Sequence, residues 1–315
     1  MDYNKIFQLK DLSSFRSELM GWSILWIMML HFRFITIKPL GFLAQYGFAG
    51  VEVFMFVSGL GLYYSLEKNS RLSSFYIKRL RRIFPVYYLV GIVASLLIFH
   101  DSLWIYLLRY TTIGYWINLP YFEWYIPALL FLYLISPIVH QLLQSSYGRR
   151  ILYFVVILIL ATSFVVGYCQ SLNRAHYFLL YRIPAFMLGM LAGQLIKQGA
   201  SSRSYLIILL AGIPIFAMCF PLHHAVYEMK YYSLLFLLPL FMLAMCQASR
   251  MMGRHIAIVR QIGCASLEVY LLQTLFFSAI NMGILTISDT WHDIVTVGLM
   301  VVCSIGGIVL HRLLP

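Results

Sequence analysis

With 62% of its 315 residues hydrophobic and only 11% charged, this chain falls outside the ordinary water-soluble class, in which about 25% of residues are charged. Its net charge of +12 would suit a polyanion such as nucleic acid, but the placement of the cations along the chain explains it otherwise. The five cysteines, Cys169, Cys219, Cys246, Cys264 and Cys303, stand singly in apolar runs with no CxxC spacing. They read as small buried hydrophobes, with no disulfide framework and no metal site.

The first 17 residues are polar, and the apolar run after them lacks a small-residue cleavage site, so no cleaved leader is expected. Ten apolar stretches then follow, at residues 19–37, 47–66, 83–98, 123–142, 151–168, 177–196, 205–220, 231–248, 266–285 and 294–310. Each approaches the ~17–25 residues that cross a bilayer core as a helix. Lipid offers no partner to exposed backbone amides, so the expected fold is all-α, a polytopic membrane helix bundle. Residues 103–118 are apolar and aromatic but broken by Arg109, Thr111, Thr112 and Gly114, which predicts a re-entrant or interfacial piece. With no internal repeat and no soluble segment, residues 1–315 are expected to form a single membrane domain.

Counting loops from an inner N-terminus puts 17 of the 23 Lys and Arg residues on the inner side and 6 on the other. That positive-inside bias predicts both termini in the cytoplasm. It also accounts for the net charge without a nucleic-acid partner.

Three ionisable side chains fall inside apolar stretches, where a charge costs several kcal/mol: His31, Glu52 and Glu268. His31 ends the run "ELMGWSILWIMMLHFRF" and lies about 18 Å from the inner end of its helix at ~1.5 Å per residue. It serves either as a cross-helix hydrogen-bonding residue or as a general base, for which its ordinary pKa near 6.5 is suited. Glu52 is either functional or the buried partner of an arginine, and Glu268 reads as interfacial. The stretch "FYIKRLRRIFPVYY" concentrates cations at one mouth of the bundle, where they hold anionic lipid head groups or a polyanionic cytosolic ligand. Arg79 and Arg82, three apart, share a helix face and suit phosphate oxygens.

Taken together, these segments resemble the acyltransferase-3 family of integral-membrane acyltransferases. "MGWSILWIMMLHF" is similar to the family's opening segment. "GFAGVEVFMFVSGLGL" is similar to its second, through Gly50, Val51, Glu52, Phe54, Phe56, Ser58 and Gly59. "IKRLRRIFPVYY" is similar to its basic entry, through Arg79, Arg82 and Pro85. "WYIPALLFLYLISP" carries Trp124, Tyr133 and Pro137, and "RIPAFMLGMLAG", with Arg182, and "SLEVYLLQ" resemble later segments. Three positions depart from the family pattern: Met20 where an arginine is usual, Leu129 where many members have glutamate, and Gln273 where histidine is often found.

The resemblance implies transfer of a short acyl group, most often acetyl, from cytosolic acyl-CoA to a hydroxyl of an envelope polysaccharide or glycolipid. It implies His31 as general base with Glu52 orienting it, and Arg79 and Arg82 on the coenzyme's phosphates. Trp124, Tyr133 and Arg182 would serve the acceptor or the scaffold. Arg16, four residues before Met20, falls within ~40° of it on the helix surface and is the candidate to replace the missing arginine. Acyl-CoA is then a co-substrate, with no resident cofactor. The expected partners are membrane lipid, the carbohydrate acceptor and polysaccharide-assembly proteins, in a bacterial cytoplasmic membrane. Two other readings stay open: a carrier of a lipid-linked saccharide or small anion, and a non-catalytic component of polysaccharide assembly.

Overall fold

The computed structural model describes residues 8–68, 71–118, 122–169, 174–199, 202–224 and 229–314; Lys5 and the side chains of Cys169, Arg174, Arg203 and Lys230 lie outside them. Among the described residues all regular structure is helical. The principal helices are α1 (Arg16–Phe32), α2 (Ala49–Lys68), α3 (Leu72–Phe99), α4 (Leu103–Tyr110), α5 (Tyr125–Leu143) and α6 (Ser146–Cys169). They continue as α7 (Arg174–Lys197), α8 (Ser202–Cys219), α9 (Met229–Met251), α10 (Ile256–Cys264), α11 (Ser266–Asn281) and α12 (His292–Leu313).

Each of the ten apolar stretches falls on one of these helices. Six helices among the described residues are long and apolar enough to cross a membrane, and α10 and α11, joined at a 69° bend, make a seventh if they count as one span. The protein is therefore a multi-helix membrane protein. Residues 103–118 form α4 and a four-residue helix, Ile113–Trp116, separated by Thr112 at φ 66°. At ~1.5 Å per residue neither piece can cross a bilayer.

Two helix boundaries and one cysteine differ from the sequence reading. The first helix stops at Phe32, five residues short of the expected end, because Arg33 takes φ 63°. The amides of Ile35, Thr36 and Ile37 beyond it are held instead by the Asp293 carboxylate at the start of α12, at 2.7–3.1 Å. The basic cluster does not precede its span: α3 begins at Leu72, so Arg79 and Arg82 project from its second and third turns. Cys264, expected as a buried hydrophobe, is exposed, whereas Cys246 and Cys303 are buried.

The most extensive packing joins α2 to α7. A Cβ on Gly189 would stand 1.9 Å from the Phe56 carbonyl oxygen, and one on Gly59 would stand 2.1 Å from that of Phe186. Gly189 and Gly193 are spaced as in GxxxG pairs, in which small residues let backbones touch where lipid removes the hydrophobic drive. Contacts climb together along both helices, from Glu52–Arg182 through Phe56–Gly189 and Tyr63–Gly193 to Glu67–Lys197. The two helices are therefore parallel, which requires an odd number of crossings between them. The long helices α3, α5 and α6 are three in number, and a further crossing by residues 103–118 would reverse α7.

Helix α1 runs antiparallel to α2, with Arg16 against Gly61 and Ile27 against Gly50. One end of the bundle gathers the basic groups. Arg250 pairs with Asp11, Arg260 with Glu18 at 2.7 Å, and Arg82 with Glu268, which His311 near the end of α12 also approaches at 3.2 Å. Both ends of the described chain lie at this basic end.

Candidate active site

A cavity of about 770 Å³ runs along the inside of the bundle, within the range of ligand sites of ~300–1,000 Å³. Its two limits on α1 are Arg16 and His31. The 15 helical steps from one to the other correspond to about 22 Å of helix axis. Arg16, His31, Arg79, Arg82, Trp124, Tyr133 and Arg182, picked out above from separate segments, all line this one space. Glu52 is the exception and lies behind the wall.

At the basic end the lining cations are Arg16, Lys78, Arg79 and Arg82. The Arg79 guanidinium stacks 3.6 Å from the centre of the Phe75 ring and 5.8 Å from that of Tyr133, while its Nη1 donates to the Phe75 carbonyl oxygen at 2.7 Å. A guanidinium stacked and bonded in this way is oriented in advance of any ligand. Arg82 is differently employed. Its Nη1 and Nη2 donate to both oxygens of Glu268 at 2.5 and 2.9 Å, and Glu268 is fully buried. The expectation that Glu268 is merely interfacial is thus corrected: the 69° bend places the first turn of α11 inside the bundle. Among the described residues no acidic side chain lines the cavity, and of its lining cations at this end Arg82 alone has a carboxylate partner. Arg81 is exposed and does not reach the cavity.

At the other end, His31 sits in the last turn of α1, half-buried, its ring stacked on Phe277 at 4.6 Å and 19°. Its Nδ1 lies 2.8 Å from Oε1 of Gln273 on α11. The Gln273 amide nitrogen points to Thr274 Oγ1, whose hydroxyl donates to the Tyr270 carbonyl. In that orientation Gln273 presents an acceptor to Nδ1, the arrangement that suits a neutral ring with its proton on Nδ1 and its lone pair on Nε2. The glutamine at the family's histidine position is therefore a direct partner of His31.

Glu52 does not touch His31. Its carboxylate lies 3.4 Å from Nε of Arg182, both side chains about 2% exposed, and neither carboxylate oxygen makes a hydrogen bond. Gln273, and not Glu52, is the side chain in contact with His31, and Glu52 takes the alternative reading, a buried partner of an arginine. Arg182 packs 5.4 Å from the Trp124 ring and 5.5 Å from the Phe178 ring, so cation and aromatics form one wall of this end.

Two groups escaped the sequence reading. Lys78 lines the basic end beside Arg79. Glu123 is buried before α5, where its Oε2 accepts from the Ile126 amide at 2.8 Å and the Tyr270 hydroxyl at 3.1 Å. A carboxylate capping a helix N-terminus is a common local signal, but its tie to a cavity-lining tyrosine on α11 has no trace in the sequence.

A family model described as an acyltransferase domain matches residues 19–312, nearly the whole chain. The chain belongs to the acyltransferase-3 family. A similar curated protein is "Putative acetyltransferase ORF330" of Acidianus two-tailed virus, 29% identical over 181 residues, which are 55% of this chain and 53% of that protein. The chain spans about half the length of this curated relative. No solved structure matches the chain.

Proposed function

We propose that this protein is an integral-membrane O-acyltransferase that moves a short acyl group, acetyl by preference, from acyl-CoA to a hydroxyl of a carbohydrate or glycolipid. One observation carries the reading: a single cavity connects an end lined by Arg16, Lys78 and Arg79 to a histidine about 22 Å away along α1. Acyl-CoA is a long molecule with its phosphates at one end and its thioester at the other. The cationic end suits the phosphates and the histidine end suits the thioester.

In this mechanism the acceptor hydroxyl enters near Trp124 and Arg182. His31 Nε2 takes its proton as the oxygen attacks the thioester carbonyl. The tetrahedral intermediate collapses with cleavage of the C–S bond, and the departing sulfur takes the proton back from Nε2. The ester and the free thiol leave, and His31 returns neutral. Placing the basic end in the cytosol follows the positive-inside rule. It puts the donor site on the side where acyl-CoA is found, in a ten-span arrangement of a bacterial cytoplasmic membrane with both termini inside.

The test is reconstitution of the full chain in lipid vesicles with acetyl-CoA labelled in the acetyl group and a membrane glycolipid extract. Release of thiol together with alkali-labile label on carbohydrate supports the proposal. Uptake of saccharide into the vesicles without thiol release would support a carrier instead.

A further inference from the structure

We propose that Gln273 is a positioning residue of the reaction, holding His31 in a single tautomer by an uncharged clamp. This inference rests on the acyltransferase reading above. The contact is direct, 2.8 Å from Gln273 Oε1 to His31 Nδ1. The clamp itself is fixed, since Gln273 is fully buried and its amide nitrogen is turned towards Thr274 Oγ1. Phe277, one turn further along α11, stacks on the ring and stops it from swinging. The three constraints come from one helix, so α11 sets which nitrogen faces the cavity.

The charge of the clamp matters as much as its position. A histidine held by a carboxylate keeps a proton well, because the imidazolium is paired. Here, among the described residues, no carboxylate lines the cavity, and the buried Glu123 is taken up by the Ile126 amide and the Tyr270 hydroxyl. Among the elements around this end, α7 presents Arg182, whose partner Glu52 on α2 is turned to it. Helix α12 presents Asp293, which is occupied with the amides of residues 35–37 and the Thr36 hydroxyl. The base is therefore flanked by a neutral amide and an apolar ring. A proton taken from the acceptor onto Nε2 gains no paired anion and is passed on to the departing sulfur, which becomes a thiol. The balance closes: one O–H and one C–S bond break, one C–O and one S–H bond form, and no other reactant is needed.

The experiment measures thiol release from acetyl-CoA by the purified full chain across pH, for the wild type, Gln273→Leu and Gln273→Glu. Gln273→Leu should lower kcat by about 10- to 100-fold, the usual cost of losing the partner that orients a histidine, with KM for acetyl-CoA unchanged. Gln273→Glu keeps an acceptor oxygen but adds a charge. It should retain more activity than the leucine variant near neutral pH, and the acid limb of its kcat profile should move up by about one to three pH units. Wild-type kcat in Gln273→Leu overturns the inference, as does an unshifted acid limb in Gln273→Glu. His31→Ala separates this from the wider reading. If that variant stays active, the general-base mechanism itself falls; if it is inactive while Gln273→Leu is normal, only the clamp falls.

Discussion

Gly61 leaves the space in which the Arg16 guanidinium lies: a Cβ on Gly61 would stand 2.5 Å from Arg16 Cζ and 2.7 and 2.8 Å from its terminal nitrogens. The clash would be with the far end of a flexible side chain, so Gly61→Ala should fold, with the guanidinium displaced from the cavity. Both Gly61→Ala and Arg16→Gln should then raise KM for acetyl-CoA several-fold while changing kcat little. Steady-state kinetics on the two variants checks this, and a normal KM in Arg16→Gln would remove Arg16 from the donor site. A restoring effect of Met20→Arg on Arg16→Gln is expected as well, because both positions line the same end of the cavity.

The Arg82–Glu268 pair predicts a loss of stability. Glu268 is fully buried and its partner one-third exposed. Removing one member of such a pair leaves an uncompensated charge, at a cost on the order of 3–5 kcal/mol. Arg82→Gln should therefore lower the unfolding temperature in detergent, and more than Glu268→Gln does, since it leaves the buried carboxylate with His311 alone at 3.2 Å. Thermal unfolding followed by aggregation or fluorescence decides it. An Arg82→Gln protein of wild-type stability and raised KM would return Arg82 to the purely donor-binding role that the sequence suggested.

Helix packing supplies a contrast between two glycines. Gly189→Ala drives a methyl into the Phe56 carbonyl at 1.9 Å, backbone against backbone, and should cost the protein its fold or its insertion. Gly306→Ala meets only Leu272 Cδ1 at 3.0 Å and should be tolerated. Yield of monodisperse protein in detergent separates the two outcomes.

Much of this architecture is legible in the sequence, for a physical reason. Spans announce themselves because lipid forbids polar surface, and His31, Arg79 and Arg82 stand out because polarity there is costly or clustered. Their meeting in one cavity is not legible, since it depends on helix directions and on contacts such as Gly61 with Arg16. Glu268 was misread because a carboxylate near a helix start looks interfacial, and nothing in "GCASLE" signals the bend that carries it inside. Arg33 ended α1 without a glycine or proline to mark the stop. Glu52 carried two readings, and only the position of Arg182 on a parallel helix chose between them.

Cys264 lines the cavity and is exposed, whereas Cys303 is buried. A maleimide should modify Cys264 before Cys246 and Cys303, and saturating CoA should slow the Cys264 modification if the donor occupies the basic end. Equal rates with and without CoA would place the donor elsewhere.

Thiol release from acetyl-CoA by purified wild type and His31→Ala, with acceptor present, decides whether His31 Nε2 is the base. The variant should be intact and folded, with turnover reduced by about 10²- to 10⁴-fold. Turnover within a small factor of the wild type would contradict that role.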